Sequence, residues 1–254
     1  MEAIEVDKMA AVEASHWWYL ALRDALGRTL MHPELRLPSH PKVLDAGCGT
    51  GEHLRFLDQL LGPSYLGGFD VSARAVALAT AKAPGADVYQ SDLCDPELHV
   101  DSLDLIVSCD VICIPGIART LRGLEKLVRN LKSGGILVLN LPAYSWLKSE
   151  HDVAVNTSER YTSGDVSRLM DQLGLEKLRL SYRLCLLLPL VAAVRLPGIL
   201  KRVEPDRARS DLHLAPSAPV NRLLFRLLAL ENRLIARGIS LPFGSSVLAI
   251  ARKR

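Results

Sequence analysis

Short apolar runs, each closed by glycine or a carboxylate, recur through the first 140 residues. Val43 to Ala46 leads into Gly47-Cys48-Gly49-Thr50-Gly51, Ser64 to Asp70, Ala86 to Asp92 and Leu103 to Asp110 repeat the pattern, and Ile136 to Leu141 adds a fifth apolar run. Runs that are apolar throughout, not alternating, read as parallel strands buried on both faces. A stretch with helical periodicity, from about Ala118 to Leu131, precedes Lys132-Ser133-Gly134-Gly135 and the fifth strand. A Leu-rich sixth strand is expected at Leu175 to Leu188 and a seventh at Ser246 to Ala251. Between them, Pro219 to Gly238 starts with proline, ends with glycine and reads as a helix. At about 100° per residue, Arg222, Arg226, Arg233 and Arg237 fall on one stripe and leucines fill the opposite arc. Such a basic amphipathic helix either lies in a membrane interface, with Leu190 to Leu200 and Lys201-Arg202 beside it, or packs as a lid. Glu231 interrupts the apolar arc, so it is expected to pair with an arginine or face a substrate cavity.

The glycine turn after the first strand carries the most specific chemistry. Gly47, Gly49 and Gly51 allow positive φ and close approach of a ligand to a strand-to-helix turn. A dinucleotide fingerprint would put a third glycine where Glu52 stands, and Asp45 precedes the first. Two carboxylates would repel a pyrophosphate but suit a ligand carrying an ammonium and a sulfonium. Asp70, at the second strand end, is placed to take two ribose hydroxyls, and Asp92, at the third, to accept from an adenine amine.

As a set, D-A-G-C-G-T-G, G-F-D-V-S, S-D-L, D-L-I-V-S and L-K-S-G-G-I-L-V-L resemble the class I S-adenosylmethionine-dependent methyltransferases over about residues 40 to 180. The resemblance implies an α/β fold: a seven-stranded Rossmann-like sheet with an N-terminal helical cap and a helical insertion between strands six and seven. It implies S-adenosyl-L-methionine as cofactor, with Asp45, Gly47, Gly49 and Gly51 around the methionine moiety, Cys48 and Cys109 beside it, Asp70 on the ribose, Val71 and Leu93 sandwiching adenine and Asp92 on its amine. The expected division is 1–40 as cap, 41–188 with 245–254 as core, and 189–244 as insertion.

Charge is distributed unevenly. Residues 1–180 carry 18 basic against 24 acidic side chains, and 181–254 carry 13 against 4. The basic tail favours an anionic surface, while its leucines, in place of stacking aromatics, and the acidic core argue against nucleic acid. Five cysteines without a C-x-x-C pair suggest neither a disulfide frame nor a metal site, as in a reducing cytoplasm. No leader is evident, and the apolar run Leu184 to Val194 is short of the roughly 20 residues a bilayer crossing needs.

Acceptor chemistry is expected after the fifth strand, in Asn140 to Asp152 and Arg160-Tyr161-Thr162. His151 has the most suitable intrinsic pKa for a base, with Asp152 or Glu150 to orient it. The run P-A-Y-S-W-L-K-S-E-H-D followed by R-Y-T resembles a bacterial subgroup often found with glycosyltransferases that handle lipid-linked sugars. The chain departs from that subgroup at Asn156 to Glu159, where His and Arg are usual, and at Asp110 to Gly116, where many relatives carry Leu-Glu-His. Ala14 to Tyr19 resembles the entry helix that closes over the cofactor. Trp17, Cys113, Tyr144, Tyr161 and Glu231 are the expected acceptor contacts. The expected function is methyl transfer, at oxygen, to a small, amphiphilic or lipid-linked acceptor by a cytoplasmic protein with peripheral membrane contact through 189–244. Prenylated-quinone-type or secondary-metabolite acceptors, or cofactor binding without methylation, stay open.

Overall fold

The computed structural model describes residues 3–200 and 216–254. Among them, seven strands form one sheet: β1 (Lys42–Ala46), β2 (Tyr65–Asp70), β3 (Asp87–Gln90), β4 (Leu103–Cys109), β5 (Leu131–Pro142), β6 (Leu175–Arg183) and β7 (Ser246–Lys253). Their order is β3-β2-β1-β4-β5-β7-β6, parallel except for β7, which runs antiparallel to both β5 and β6. This is the Rossmann-like arrangement of class I methyltransferases.

Strand residues alternate between two cores. Leu44, Ile106, Leu137 and Leu139 face one side, with Leu124 and Leu127 of α5 (Ile117–Asn130) and Val166 and Leu169 of α7 (Ser163–Gln172). Val43, Leu105, Val107 and Val138 face the other, with Leu22 and Leu26 of α2 (Trp17–Leu30), Leu54 and Leu57 of α3 (Glu52–Leu61) and Ala79 of α4 (Ala73–Lys82). Both faces are covered, which explains why these strands read as apolar runs. The Lys132-to-Gly135 turn is absorbed into β5 as an irregularity: Leu103 pairs with Leu131 and Leu105 with Ile136.

The sixth strand stops five residues before its expected end. Leu184 takes φ +58°, the chain turns, and the apolar run continues as α8 (Leu188–Leu200). The turn is held by Glu231 of α9 (Ala218–Ala236), whose carboxylate accepts from the amides of Cys185 (3.1 Å) and Leu186. No helix among the described residues is long and apolar enough to cross a membrane. Lys201 and Arg202 lie outside the described residues.

The N-terminal cap and the insertion share a core. Ala21 and Trp17 pack with Leu184, Leu187 and Leu228. Asn232 Nδ2 donates to the Ala21 carbonyl (2.8 Å) and to Asp24 (2.9 Å), while the Trp17 amide donates to Asn221 (2.8 Å). In α9, Leu228, Ala229, Glu231, Asn232 and Ile235 are buried and all four stripe arginines are exposed. The leucines do not all oppose the arginines: Leu223 and Leu230 stand exposed beside them. α1 (Ala3–Val12) lies on the glycine turn, tied to it where Thr50 and Lys82 both donate to Glu13.

Candidate active site

One cavity of about 590 Å³ runs past the carboxyl ends of β1, β2 and β4, where open α/β sheets bind ligands. One end is walled by Gly47, Cys48, Gly49, Asp70, Val71, Asp92 and Leu93. The other end is walled by Trp17, Cys113, Ile114, His151, Val155, Leu187 and, from α8, Leu190, Val191 and Val194.

Backbone geometry builds the first end. The amides of Gly47 and Cys48 both donate to the Phe69 carbonyl (2.9 and 2.8 Å), which pins the turn to the end of β2. Gly47 stands at φ +85° and Gly51 at φ +90°. The two are not used alike. Gly47 is on the cavity wall, whereas a Cβ on Gly51 would meet Ala79 Cα at 2.6 Å, so Gly51 lets α3 and α4 approach and is off the wall. Asp70 accepts from the Gly49 amide (3.0 Å) through Oδ2 and the Ser72 amide (2.9 Å) through Oδ1. Each carboxylate oxygen accepts two hydrogen bonds, so capacity remains for two hydroxyls. Burial raises the Asp70 pKa, and these amides oppose the rise. Val71 is exposed and Leu93 buried at the same end, and Asp92 accepts from the Cys94 amide (2.8 Å).

The buried polar atoms here fit the methionine end of S-adenosylmethionine. Asp45 is wholly buried just behind the wall and neither carboxylate oxygen has a hydrogen-bond partner. Burial, then the charges of Asp70 and Glu13, push its pKa up to about 7. A cation settling nearby would reverse that penalty. On the wall, Arg23 of α2 and His53 of α3 present Nη1 and Nε2, also buried and unpartnered. Burial and the neighbouring Arg23 lower the His53 pKa to about 4, so the ring is neutral at pH 7. Donors for a carboxylate therefore stand near an acceptor for an ammonium. Sequence reasoning missed Arg23 and His53; the one signal was their place on the aromatic cap helix and one residue into the helix after the turn.

The acceptor end differs from expectation at Tyr144, Tyr161 and Glu231. Asp152 lines the cavity with His151; its carboxylate caps α6 (Glu150–Ala154) by accepting from Ser149 (2.9 Å) and pairs bidentately with Arg160 (2.7 and 3.1 Å). Burial raises its pKa, yet Arg160's charge and hydrogen bonds hold it below the ordinary carboxylate value. Tyr144 and Tyr161 lie off the cavity wall. Tyr144 stacks on Tyr182, and the Tyr161 hydroxyl donates to Glu159 (2.8 Å). Glu231 also lies off the wall, because backbone amides and not a ligand satisfy it. His151, Trp17, Cys109 and Cys113 do line the cavity. So do Asp110 and Tyr19, which the pattern placed at a strand end and on the entry helix without a role, and Glu13, Arg119 and Arg195, which it did not single out.

Comparison with known proteins agrees with this geometry. Residues 43–135 match the family described as "Methyltransferase domain". The chain is 30% identical to a trans-aconitate 2-methyltransferase of Deinococcus radiodurans, over 61% of this chain and 56% of that protein. It is 28% identical to a phthiotriol/phenolphthiotriol dimycocerosates methyltransferase of Mycobacterium ulcerans, over 50% of this chain and 44% of that protein. The matches thus span about half the length of these curated relatives or less. In fold it is similar to an S-adenosylmethionine-dependent methyltransferase from Mesorhizobium loti, with TM-score 0.56, 19% identity, and 87% and 96% of the two chains covered. Glycine turn, strand-end carboxylates, sheet order and family match converge: the chain carries a methyltransferase domain of class I, the class that uses S-adenosylmethionine.

Proposed function

We propose that this chain transfers the methyl group of S-adenosylmethionine to the oxygen of a small amphiphilic acceptor. The observation that carries the reading is the continuity of one cavity, polar and backbone-built at one end, apolar and helix-built at the other. S-adenosylmethionine, when bound, supplies an electrophilic methyl group on a sulfonium. The chain's own residues align and desolvate. Arg23 and His53 hold the carboxylate of the amino-acid end, Asp45 favours its ammonium, Asp70 takes the ribose, and Val71 and Leu93 flank the adenine with Asp92 at its edge. Trp17 and the α8 side chains exclude water around the acceptor, with Cys113 beneath it and His151 placed to orient it. Two relatives named for trans-aconitate and for dimycocerosates support a small or lipid-like acceptor.

The same reading sets the protein against an anionic membrane surface in the cytoplasm. Arg222, Arg226, Arg233 and Arg237 are exposed on α9 beside Leu223 and Leu230, and Leu190 and Val194 are about half exposed while lining the cavity. Exposed apolar area and basic charge act together at such a surface. The test is incubation with S-adenosylmethionine labelled in the methyl group and a cell extract, followed by partition between water and organic solvent. Label recovered in a lipid-phase product as a methyl ether or methyl ester supports the reading. Calorimetric cofactor binding with no labelled product from any extract favours a cofactor-binding protein that does not methylate.

A further inference from the structure

Asp110, the carboxylate that follows β4, has a setting that the reading above leaves unused. It stands on the cavity wall between Cys109 and Cys113, with φ +58°. A non-glycine residue held in the left-handed region is a strained position that the surroundings must enforce. Asn140 of β5 enforces it: the Asp110 amide donates to the Asn140 carbonyl (2.8 Å), and Asn140 Nδ2 donates to Asp110 Oδ2 (2.9 Å). Asn140 is in turn fixed by Arg183, whose Nη1 donates to Asn140 Oδ1 (2.9 Å) and whose Nη2 donates to the Ala21 carbonyl (3.1 Å). Asn140 and Arg183 are buried almost completely. Among the described residues, no donor reaches Asp110 Oδ1.

Five titratable or charged groups face this carboxylate: Tyr19 from α2, Cys109 and Cys113 from either side of it in the chain, Arg183 from β6 and Arg160 from the segment before α7. Burial drives the tyrosine and both thiols upward, so they stay neutral, and pulls Arg183 down against the charge of Asp110. Burial also raises Asp110 to about 6, against Asn140, Arg183 and Arg160. Of this set, Asp110 is the group that changes charge near neutrality.

We propose that Asp110 is a catalytic residue that takes the proton of an acceptor hydroxyl during methyl transfer. The inference rests on the cofactor reading above. The hydroxyl oxygen's lone pair forms the new O–C bond, the C–S pair returns to sulfur as a neutral thioether, and the hydroxyl proton passes to the Asp110 carboxylate as the oxygen gains positive character. One positive and one negative charge are thereby neutralised together. An anionic carboxylate acceptor would meet the charge of Asp110 directly, so the site selects a proton-bearing nucleophile.

The test uses two cofactor analogues and needs no acceptor. S-adenosylhomocysteine lacks the transferable group, and sinefungin puts a C–NH₃⁺ unit where the methyl-bearing sulfur stands, aimed along the transfer direction. In the unaltered protein, sinefungin is expected to bind about tenfold more tightly than S-adenosylhomocysteine at pH 7.5, the advantage of a charge-assisted pair. The ratio should fall towards one by pH 5, as Asp110 is protonated. Asp110→Asn and Asp110→Ser should bring the ratio to about one at every pH while leaving S-adenosylhomocysteine affinity in place, whereas His151→Ala should keep the pH-dependent ratio. An unchanged ratio in Asp110→Asn or Asp110→Ser overturns the assignment of Asp110 alone. Failure of the unaltered protein to bind S-adenosylhomocysteine overturns the cofactor reading, and this inference with it.

Discussion

At the cofactor end of the cavity, the functional groups are set by backbone amides and carbonyls at the ends of neighbouring strands β1 and β2. The amide of Gly49 and that of Ser72 fix Asp70, and Phe69 fixes Gly47 and Cys48. At the acceptor end, each key side chain depends on a distant one: Asp110 and Asn140 on Arg183, and the turn after β6 on Glu231. The first construction tolerates change around it, since few partners have to stay in place. The second can be retuned by a single substitution far along the chain.

The most severe break of this contrast is at Gly51. A valine there would overlap the Ala79 backbone and occupy φ +90°, so Gly51→Val is expected to cost about 4 kcal/mol in urea unfolding, strain and overpacking together. Cofactor binding should disappear with it. If stability is unchanged, the glycine turn is less constrained than its geometry indicates.

Next in size is the exposed arginine face. Reversing Arg222, Arg226, Arg233 and Arg237 to Glu removes attraction worth about 1 kcal/mol per residue at an anionic surface. Co-sedimentation with phosphatidylserine-containing vesicles at low salt should vanish while the thermal transition and cofactor affinity are retained. An unmodified protein that ignores such vesicles makes α9 a packing helix only.

Arg160→Met probes the acceptor end from within. It leaves the buried Asp152 carboxylate without its bidentate partner, at an expected cost of about 3 kcal/mol. Because Asp152 titrates below its unfolded value, the pair's contribution is present above the unfolded pKa, near 4, and lost as pH falls through the folded one. The variant should therefore show a flatter acid limb in its stability profile. Hydrogen exchange should quicken at 149–162 and not at 43–51.

The smallest effect sharpens the cofactor end. Asp45 has a folded pKa raised to about 7, so protonation favours the folded protein without ligand, and that stability is lost as pH rises from about 4 through 7. A cationic ligand needs the ionised form. Affinity for S-adenosylmethionine should weaken about tenfold, or 1.4 kcal/mol, for each pH unit below 7, and Asp45→Asn should flatten that dependence in calorimetry.

Local order also decides what could be read from the chain. The strands, the glycine turn and the carboxylates at 45, 70 and 92 announce themselves because each sits in a short motif of apolar run and closing glycine or acid. The end of β6 does not: Leu184 to Leu187 is as apolar as a strand, and only the carboxylate of Glu231, 45 residues on, turns it. Nor does anything at 149–152 reveal that Arg160 folds back on Asp152. Arg183 and Asn140 look like ordinary strand residues until their side chains meet beneath Asp110.

The bond between the Ala21 carbonyl and Asn232 spans 211 residues of sequence. During synthesis α2 leaves the ribosome long before α9, its partner, is made. The sheet strands β1 to β5 can pair in the meantime, because they are made in succession, but the wall that α2 contributes to the cavity has no settled position until α9 emerges. Maturation therefore proceeds from floor to roof. Ribosome-bound fragments ending before residue 218 should remain sensitive to protease at 14–30 while 42–142 is already protected.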